Sequence, residues 1–242
     1  MGIGGSASNN GVRFMSENYT ARFVLDKFDN YHISHSKRKI PGKFSQRIKK
    51  IPLLKGFYTM LVANPIMPPL ILIALILDFL PAAMGENEYV LISLGIISIG
   101  LFGYALSKIV YNVNTTWKFH GAEHKTIYAY ENNMELTVEN VRGCPRIARR
   151  CGTNLVVFAV IFYIILMILL DHSSIAFIAS FVLGYELFDM EKGDKYPVIR
   201  LFFKFGNLCQ QKFFTKEPSD IQIVAAIATI KKLIELENQE VK

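Results

Sequence analysis

The chain has few cysteines and no recognisable secretory leader. Its three cysteines, Cys144, Cys151 and Cys209, are an odd number without regular spacing, which excludes an evenly paired disulfide framework and favours a reducing compartment. The N-terminal stretch MGIGGSASNNGVRF contains no apolar core, so we do not expect it to act as a signal peptide.

Apolar residues, in contrast, are abundant and clustered. They form 51% of the chain, and four runs approach the roughly 20 residues that cross a bilayer about 30 Å thick. The runs cover 66–82, 89–113, 154–170 and 173–188, and the short connectors MGENE and DHSS join them in pairs. The sequence therefore predicts a mainly α, polytopic membrane protein with about four transmembrane helices arranged as two hairpins.

The basic residues support this layout and orient it. Neither short connector contains a Lys or Arg, whereas 11 precede residue 66, six lie between 114 and 153, and nine follow residue 188. Basic residues are retained on the cytoplasmic side, so we expect a multi-pass protein of the bacterial plasma membrane with both termini cytoplasmic. The alternative is a soluble protein with two buried helical hairpins, which would have to explain why the connectors lack basic residues.

The same pattern divides the chain into five segments. We predict a cytoplasmic N-terminal cap with an interfacial helix over 1–65, a transmembrane hairpin over 66–113, and a cytoplasmic loop over 114–153. A second transmembrane hairpin over 154–188 and cytoplasmic interfacial and C-terminal helices over 189–242 complete the chain. Within the cap, alternation around Asp29-Asn30 predicts a small β-hairpin. Near the C-terminus, Ser219 and Gln222 have capping-box spacing and predict a helix over about 220–237.

The expected partners follow from the same charges. Basic stretches beside the apolar runs suit a lipid bilayer with anionic headgroups, and a membrane protein partner or a second copy of the chain remains open. Because cytoplasmic retention already accounts for the basic residues, we expect no nucleic-acid partner.

The segment KFHGAEHKTIYAYE, residues 118–131, is the candidate site. A helix from Thr115 to about Asn132 is expected, since the stretch contains no proline. His120 and His124 would then lie on one face of it, with Glu123 beside them. This H-x-x-E-H order is that of the inverzincin peptidases, in which two histidines bind zinc and the glutamate acts as the base. The sequence therefore predicts a divalent metal, with zinc as the first candidate, and Glu123 as the catalytic residue.

A catalytic zinc takes a third protein ligand, and two residues are candidates. Cys151 lies in RRCGT, where nearby arginines favour the thiolate, the form that binds metals. Glu186 lies near the inner end of the fourth apolar run, where a carboxylate suggests a functional role. The predicted metal ligands are thus His120, His124, Cys151 and Glu186. The alternative is that the histidines are ordinary surface residues of an amphipathic helix.

Five motifs resemble one known family. They are KFHGAEHKTIYAYE, ELTVENVR, RCGT, GYEL and TKEPSD, and their order is similar to that in the YqhQ-type bacterial membrane proteins, which carry a domain of unknown function. Members of this family are often labelled as predicted metal-dependent enzymes. The resemblance implies a polytopic plasma-membrane protein and places His120, Glu123, His124, Cys151 and Glu186 on motif positions.

The chain departs from the family near its N-terminus. The family typically has GGQAVxEGVMM where this chain has GGSASNNGVRFM, so Ser6 replaces a glutamine and Asn10 replaces a glutamate. Gly4, Gly5 and Gly11 are retained, and we expect the polar side chains of this segment to fold back towards the HGAEH helix and complete a site between the cytoplasmic cap and the ends of the spans. If the lost glutamate is catalytic in the family, this chain is inactive or repurposed.

Two functions therefore remain open. The first is zinc-dependent hydrolysis at the cytoplasmic face of the membrane, with Glu123 as the base for attack on a carbonyl or ester. The second is a non-catalytic membrane assembly or scaffold protein, in which HGAEH is a structural polar cluster or a structural metal site.

Overall fold

A computed structural model of the chain describes residues 2–26, 30–39, 42–63, 67–69, 71–73, 75–76, 114–170, 173–190 and 192–240. Most of the first two apolar runs lies outside these ranges. The chain divides into two compact units, each assembled from separated stretches. The first contains Met1–Ile40, Ile109–Arg149 and Asn207–Lys242, and the second contains Pro41–Lys108 and Arg150–Gly206.

A four-stranded antiparallel sheet forms one side of the first unit. Its strands are β1 (Gly4–Ser8), β2 (Gly11–Met15), β3 (Tyr19–Leu25) and β4 (Tyr31–Lys37), in the order β1-β2-β3-β4. Side chains alternate between the two faces with a period of two: Val12 and Phe14 are buried while Arg13 is exposed. The hairpin predicted around Asp29-Asn30 is present as β3 and β4, but it belongs to a larger sheet.

Three helices form the other side of this unit. They are α3, described from residue 114 to 131, α4 (Val138–Gly143) and α8 (Asp220–Glu240). Helix α8 begins at the predicted position, and one half of the predicted capping box is present, because the Ser219 N–H donates to Gln222 Oε1 at 2.9 Å. The Ser219 hydroxyl donates to the same oxygen. The core is shared by the sheet, α3 and α8, and its buried residues are Ile3, Val12, Phe14, Ala21, Phe23, Phe119, Ala122, Ala225, Ala226, Ile230 and Leu233.

The second unit is helical in its described part. It contains α1 (Lys43–Ile48), α2 (Leu54–Tyr58), α5 (Gly152–Leu169), α6 (Ser173–Phe188) and most of α7 (Pro197–Cys209). A π-helical turn over Thr59–Ala63 extends α2. Helices α5 and α6 approach closely at Gly184, where a Cβ would lie 2.9 Å from the backbone nitrogen of Ala159. The interfacial helix predicted before residue 65 is divided into α1 and α2, and Leu53 between them has a φ of 65°.

The prediction of a mainly α protein with four transmembrane helices is wrong. Among the described residues, only α5 is long and apolar enough to cross a membrane, with a mean hydropathy of 2.5. A second span is counted only if Leu54–Val62 and Met67–Ile73, which meet at an angle of 100°, are taken as one broken helix. Helix α6 has 16 residues, which at 1.5 Å per residue extend about 24 Å, short of a bilayer core of about 30 Å. The four-stranded sheet is a further departure from the predicted class.

The error has a physical origin. Hydropathy and charge counts measure composition, and a run of apolar residues has the same composition whether or not it forms one continuous helix. The count also gave no weight to the glycine- and serine-rich N-terminus, where strand residues are stabilised by packing on helices that are distant in sequence.

Candidate metal centre

Helix α3 places the HGAEH residues at the edge of the first unit's core. One side of the helix carries Phe119 and Ala122, which are completely buried in the core. Gly121 is required by a close approach, since a Cβ there would lie 2.2 Å from the backbone oxygen of Lys216. Glycine weakens a helix in isolation, but at this position it allows another backbone segment to pack against α3.

The two histidines are held in defined orientations by backbone carbonyls. Nδ1 of His120 lies 2.8 Å from the carbonyl oxygen of Phe214, and Nδ1 of His124 lies 2.7 Å from that of Arg146. A carbonyl oxygen can only accept, so each Nδ1 carries the hydrogen and the lone pair of each neutral ring is on Nε2. The ring centroids are 4.4 Å apart. Metal-bound histidines are oriented by this kind of second hydrogen bond.

Glu123 lies beside the histidines and is buried, with 4% of its surface exposed. Strand β1 covers it: a Cβ on Gly5 would lie only 2.4 Å from Glu123 Oε1. The backbone of the glycine-rich N-terminus therefore packs on the HGAEH helix at Gly5. The polar side chains that we expected to complete the site are not there, because Ser6 and Ser8 lie on the other face of the sheet. The other oxygen of Glu123, Oε2, has no hydrogen-bond partner among the described residues. Burial raises the pKa of the Glu123 carboxyl to about 7, and positive charge on His120 acts in the opposite direction.

Such an unpartnered oxygen is unusual. Buried polar atoms nearly always have a hydrogen-bond partner, and an exception calls for an explanation such as a catalytic role or a bound ion. Glu123 is therefore in a suitable state to exchange a proton with a ligand at this site.

Cys151, the third sequence-predicted ligand, lies in the second unit, whereas His120 and His124 lie in the first. Cys151 is the N-cap of α5, and its sulfur accepts a hydrogen bond from the Thr153 N–H at 3.4 Å. The arginines expected around it are partly used elsewhere, since Arg146 lies 3.4 Å from Glu217.

Glu186 has a different environment. Its Oε1 accepts hydrogen bonds from the backbone N–H groups of Leu53 and Gly56, at 2.9 and 3.3 Å. Leu53 is the N-cap position of α2 and has no side-chain cap of its own, so Glu186 supplies the acceptor that the start of this helix requires.

Sequence reasoning missed a supporting set of residues around the histidines. Lys125 is buried, donates to the carbonyl oxygen of Arg142 at 2.7 Å, and pairs with Glu217 at 2.6 Å. The Gln210 side chain donates to and accepts from the backbone of Ala148, at 3.1 and 3.0 Å. These contacts fix the two segments whose carbonyls orient the imidazoles. The motif TKEPSD, which contains Glu217, is the only sequence signal for these supporting residues, and its residue types do not indicate any particular function.

Comparison with known proteins places the chain in a family. The family described as "Protein of unknown function (DUF1385)" matches residues 33–236, which is most of the chain. "Uncharacterized protein YqhQ" of Bacillus subtilis (strain 168) is 32% identical over 135 residues, which is 52% of this chain and 42% of that protein. The match therefore spans less than half the length of this curated relative. No solved structure matches. The resemblance noted in the sequence is confirmed: the chain belongs to the YqhQ-type family, DUF1385, whose function is unknown.

Proposed function

We propose that this chain is a metal-dependent enzyme that binds zinc on the HGAEH helix and catalyses hydrolysis. The observation that carries the proposal is the pair of imidazoles on one helix face, each with Nδ1 held by a backbone carbonyl. This arrangement gives both rings an Nε2 lone pair in the neutral state, which is the form that binds a metal ion. The unpartnered oxygen of the adjacent Glu123 is consistent with a ligand at this position.

His120, His124 and Cys151 are the proposed ligands. Two nitrogens and a sulfur match the donor preference of zinc, and a site with three protein ligands leaves one position open, as catalytic zinc sites do. Glu186 remains the alternative third ligand, but it would have to leave the backbone N–H groups at the start of α2. A bound zinc ion would supply Lewis-acid chemistry.

Glu123 is the proposed acid–base residue. It lies between the two ligands in sequence and is covered on one side by Gly5 of β1. Its Oε2 has no hydrogen-bond partner among the described residues. In this role Glu123 removes a proton from the attacking water and returns it to the leaving group. The two carbonyl acceptors keep the histidines from rotating, so the glutamate and the ligands maintain a fixed relative position.

Metal content tests the first half of this proposal. We expect about one equivalent of zinc in the purified full-length chain by inductively coupled plasma mass spectrometry, and loss of it in a His120→Ala, His124→Ala double variant. Cys151→Ser should also lower the zinc content, whereas Glu186→Gln should not. Retention of zinc by the double variant would refute the site. If Glu186→Gln lost zinc and Cys151→Ser kept it, the third ligand would be Glu186 and not Cys151.

A glutamine substitution tests the second half. Glu123→Gln preserves size and removes the ionisable group, so we expect it to keep the zinc and to lose hydrolysis of a generic ester such as 4-nitrophenyl butyrate by about 10²–10⁴-fold. Glu131→Gln, on the same helix, is the matched control. Equal rates for wild type and Glu123→Gln would show that the glutamate takes no part in the reaction. Hydrolysis that does not depend on zinc would show the same for the metal.

A membrane assembly role is the second candidate, and helix α5 favours it. The helix is 18 residues long and only 17% of it is buried within the described structure, so its apolar surface needs a lipid or protein partner. Under this proposal the chain associates with the cytoplasmic face of the bacterial plasma membrane, with its termini cytoplasmic, and the histidines bind a structural metal. Recovery of the chain in the carbonate-washed membrane fraction, with zinc bound and no esterase activity in any metal state, would favour this role.

A further inference from the structure

The outer face of the sheet carries a row of polar residues that the metal centre does not use. Strand register places Ser6 opposite Arg13, Arg13 opposite Arg22, and Arg22 opposite Ser34. Both arginines are exposed, while the residues that flank them on β2 and β3 are buried in the core. These four residues, which we call the arginine row, therefore cross all four strands on the face directed away from the helices.

The row contains an uncompensated positive charge. Like charges directly opposite each other on neighbouring strands destabilise a sheet, and neither Arg13 nor Arg22 has an ion pair with a described residue. The alternate positions that share this face include no acidic residue; they are Gly4, Ser8, Gly11, Met15, Thr20, Val24, His32 and Ser36. Two acidic residues, Glu17 and Asp26, are described in the turns of the sheet, and Asp26 accepts hydrogen bonds from Asn30. Glu123 lies against the opposite face at Gly5, and Glu237 accepts hydrogen bonds from Ser16 and Asn18 in the β2–β3 turn.

We propose that the arginine row binds the phosphate group of a soluble phosphate monoester. The two guanidinium groups supply a charge of +2, which matches the charge of about −2 on a phosphate monoester near neutral pH. Each guanidinium presents a planar fork of donors that fits two phosphate oxygens. The hydroxyls of Ser6 and Ser34 lie at the two ends of the row and provide further donors. A bound dianion would also relieve the repulsion between the arginines.

Other anionic partners fit this face less well. Single-stranded nucleic acids are bound by sheets that offer aromatic side chains for base stacking, and this face has none except the imidazole of His32. A bilayer surface is bound by exposed apolar residues together with basic ones, whereas the apolar residues here, Met15 and Val24, are half-buried. The face is therefore suited to a small, water-soluble ligand.

Isothermal titration of the full-length chain, stripped of metal with a chelator, tests this site. The probes are inorganic phosphate and phenyl phosphate. We expect Arg13→Gln and Arg22→Gln each to weaken binding by about 10- to 100-fold, as for hydrogen bonds to a charged group. Arg22→Lys should also weaken it, because lysine keeps the charge and loses the fork. Arg200→Gln, on α7, is the charge-matched control and should bind like wild type.

Two further measurements separate this site from its alternatives. Arg13→Gln should raise the unfolding midpoint in the absence of phosphate, since one of the opposed charges is removed, and phosphate should stabilise the wild type but not this variant. Phenyl phosphate should bind equally well to the His120→Ala, His124→Ala variant. Unchanged affinity in both arginine variants, loss of binding in the histidine variant, or binding only to vesicles containing phosphatidic acid would each overturn the proposal.

Discussion

Because Gly5 packs against Glu123 and Gly4 does not, we predict that alanine substitutions at these two adjacent glycines have opposite effects on stability. A methyl group on Gly5 would lie 2.4, 2.6 and 2.7 Å from Oε1, Cγ and Cδ of Glu123. These distances are far below van der Waals contact, and the glutamate is buried, so it cannot move aside without displacing its neighbours. Gly4, one residue earlier, has nothing within 4 Å of the corresponding position.

We therefore expect Gly5→Ala to destabilise the first unit by about 1–3 kcal/mol, the usual cost of overpacking. Gly4→Ala should be neutral or should stabilise it by about 0.4–1 kcal/mol, because alanine reduces the entropy of the unfolded chain. The expected difference in the free energy of unfolding between the two variants is therefore roughly 1–4 kcal/mol. Urea unfolding followed by the fluorescence of Trp117, the single tryptophan, reports on this unit because Trp117 lies in α3.

A double-mutant cycle identifies the cause of the destabilisation. Glu123→Ala removes all three atoms that the new methyl group would meet, so Gly5→Ala should cost little in that background, and the coupling energy should be about 1–3 kcal/mol. If Gly5→Ala is as stable as Gly4→Ala, or if its cost persists without the glutamate side chain, then β1 does not pack on Glu123 and does not shield it from water.

Three further substitutions test the surroundings of the site. In an open helix Gly121→Ala would stabilise the fold by about 1 kcal/mol, but its methyl group would lie 2.2 Å from the Lys216 carbonyl oxygen, so we expect urea unfolding to show a loss of stability of about 1–3 kcal/mol. Gly143→Ala, which has nothing within 4 Å of the new methyl group, is the control. A gain in stability for Gly121→Ala would contradict the contact. Glu217→Gln removes the negative charge that pairs with the buried Lys125 ammonium, and we expect it to lower the free energy of unfolding by about 1–3 kcal/mol. The control, Glu235→Gln in an exposed pair, should lower it by less than about 0.5 kcal/mol. Equal effects would show that Lys125 does not depend on Glu217. Hydrogen bonds from Ser16 and Asn18 lower the pKa of Glu237, so its stabilisation is present above the ordinary glutamate pKa and is lost as the pH falls through the lowered value. Glu237→Gln should accordingly be less stable than wild type at pH 7 and equal to it at low pH, and a difference in unfolding midpoint that is independent of pH would contradict this assignment.

The features predicted correctly from the sequence depend on short-range patterns. The histidines are four residues apart on a helix, and the capping box spans Ser219 to Gln222, so each requires only the geometry of one helical turn. The β3–β4 hairpin was also recognisable from local alternation. Strand β1 was not, because GGSAS has low strand propensity and is held in place by pairing with β2 and by packing on α3.

The hydrogen-bond partners of buried polar groups could not be predicted from the sequence. Nothing near Glu186 indicates that its carboxylate accepts the N–H groups of Leu53 and Gly56, which are more than 100 residues away. A glutamate that is needed to cap a distant helix and one that binds a metal have the same appearance in a sequence. The carbonyls that orient His120 and His124 are equally invisible, since every residue carries one.

The structure also gives a role to Asn10, where the sequence differs from the pattern that the resemblance led us to expect. Asn10 lies in the turn between β1 and β2, and its Nδ2 donates to the carbonyl oxygen of Leu25 at 3.1 Å, while the Leu25 N–H donates to the Asn10 carbonyl at 2.7 Å. A carboxylate cannot donate the first of these bonds, so the amide links the turn to the end of β3 in a way that a glutamate could not. The amide at position 10 thus has a packing role in the turn. The acid–base residue that the proposed hydrolysis requires, Glu123, lies elsewhere, on α3.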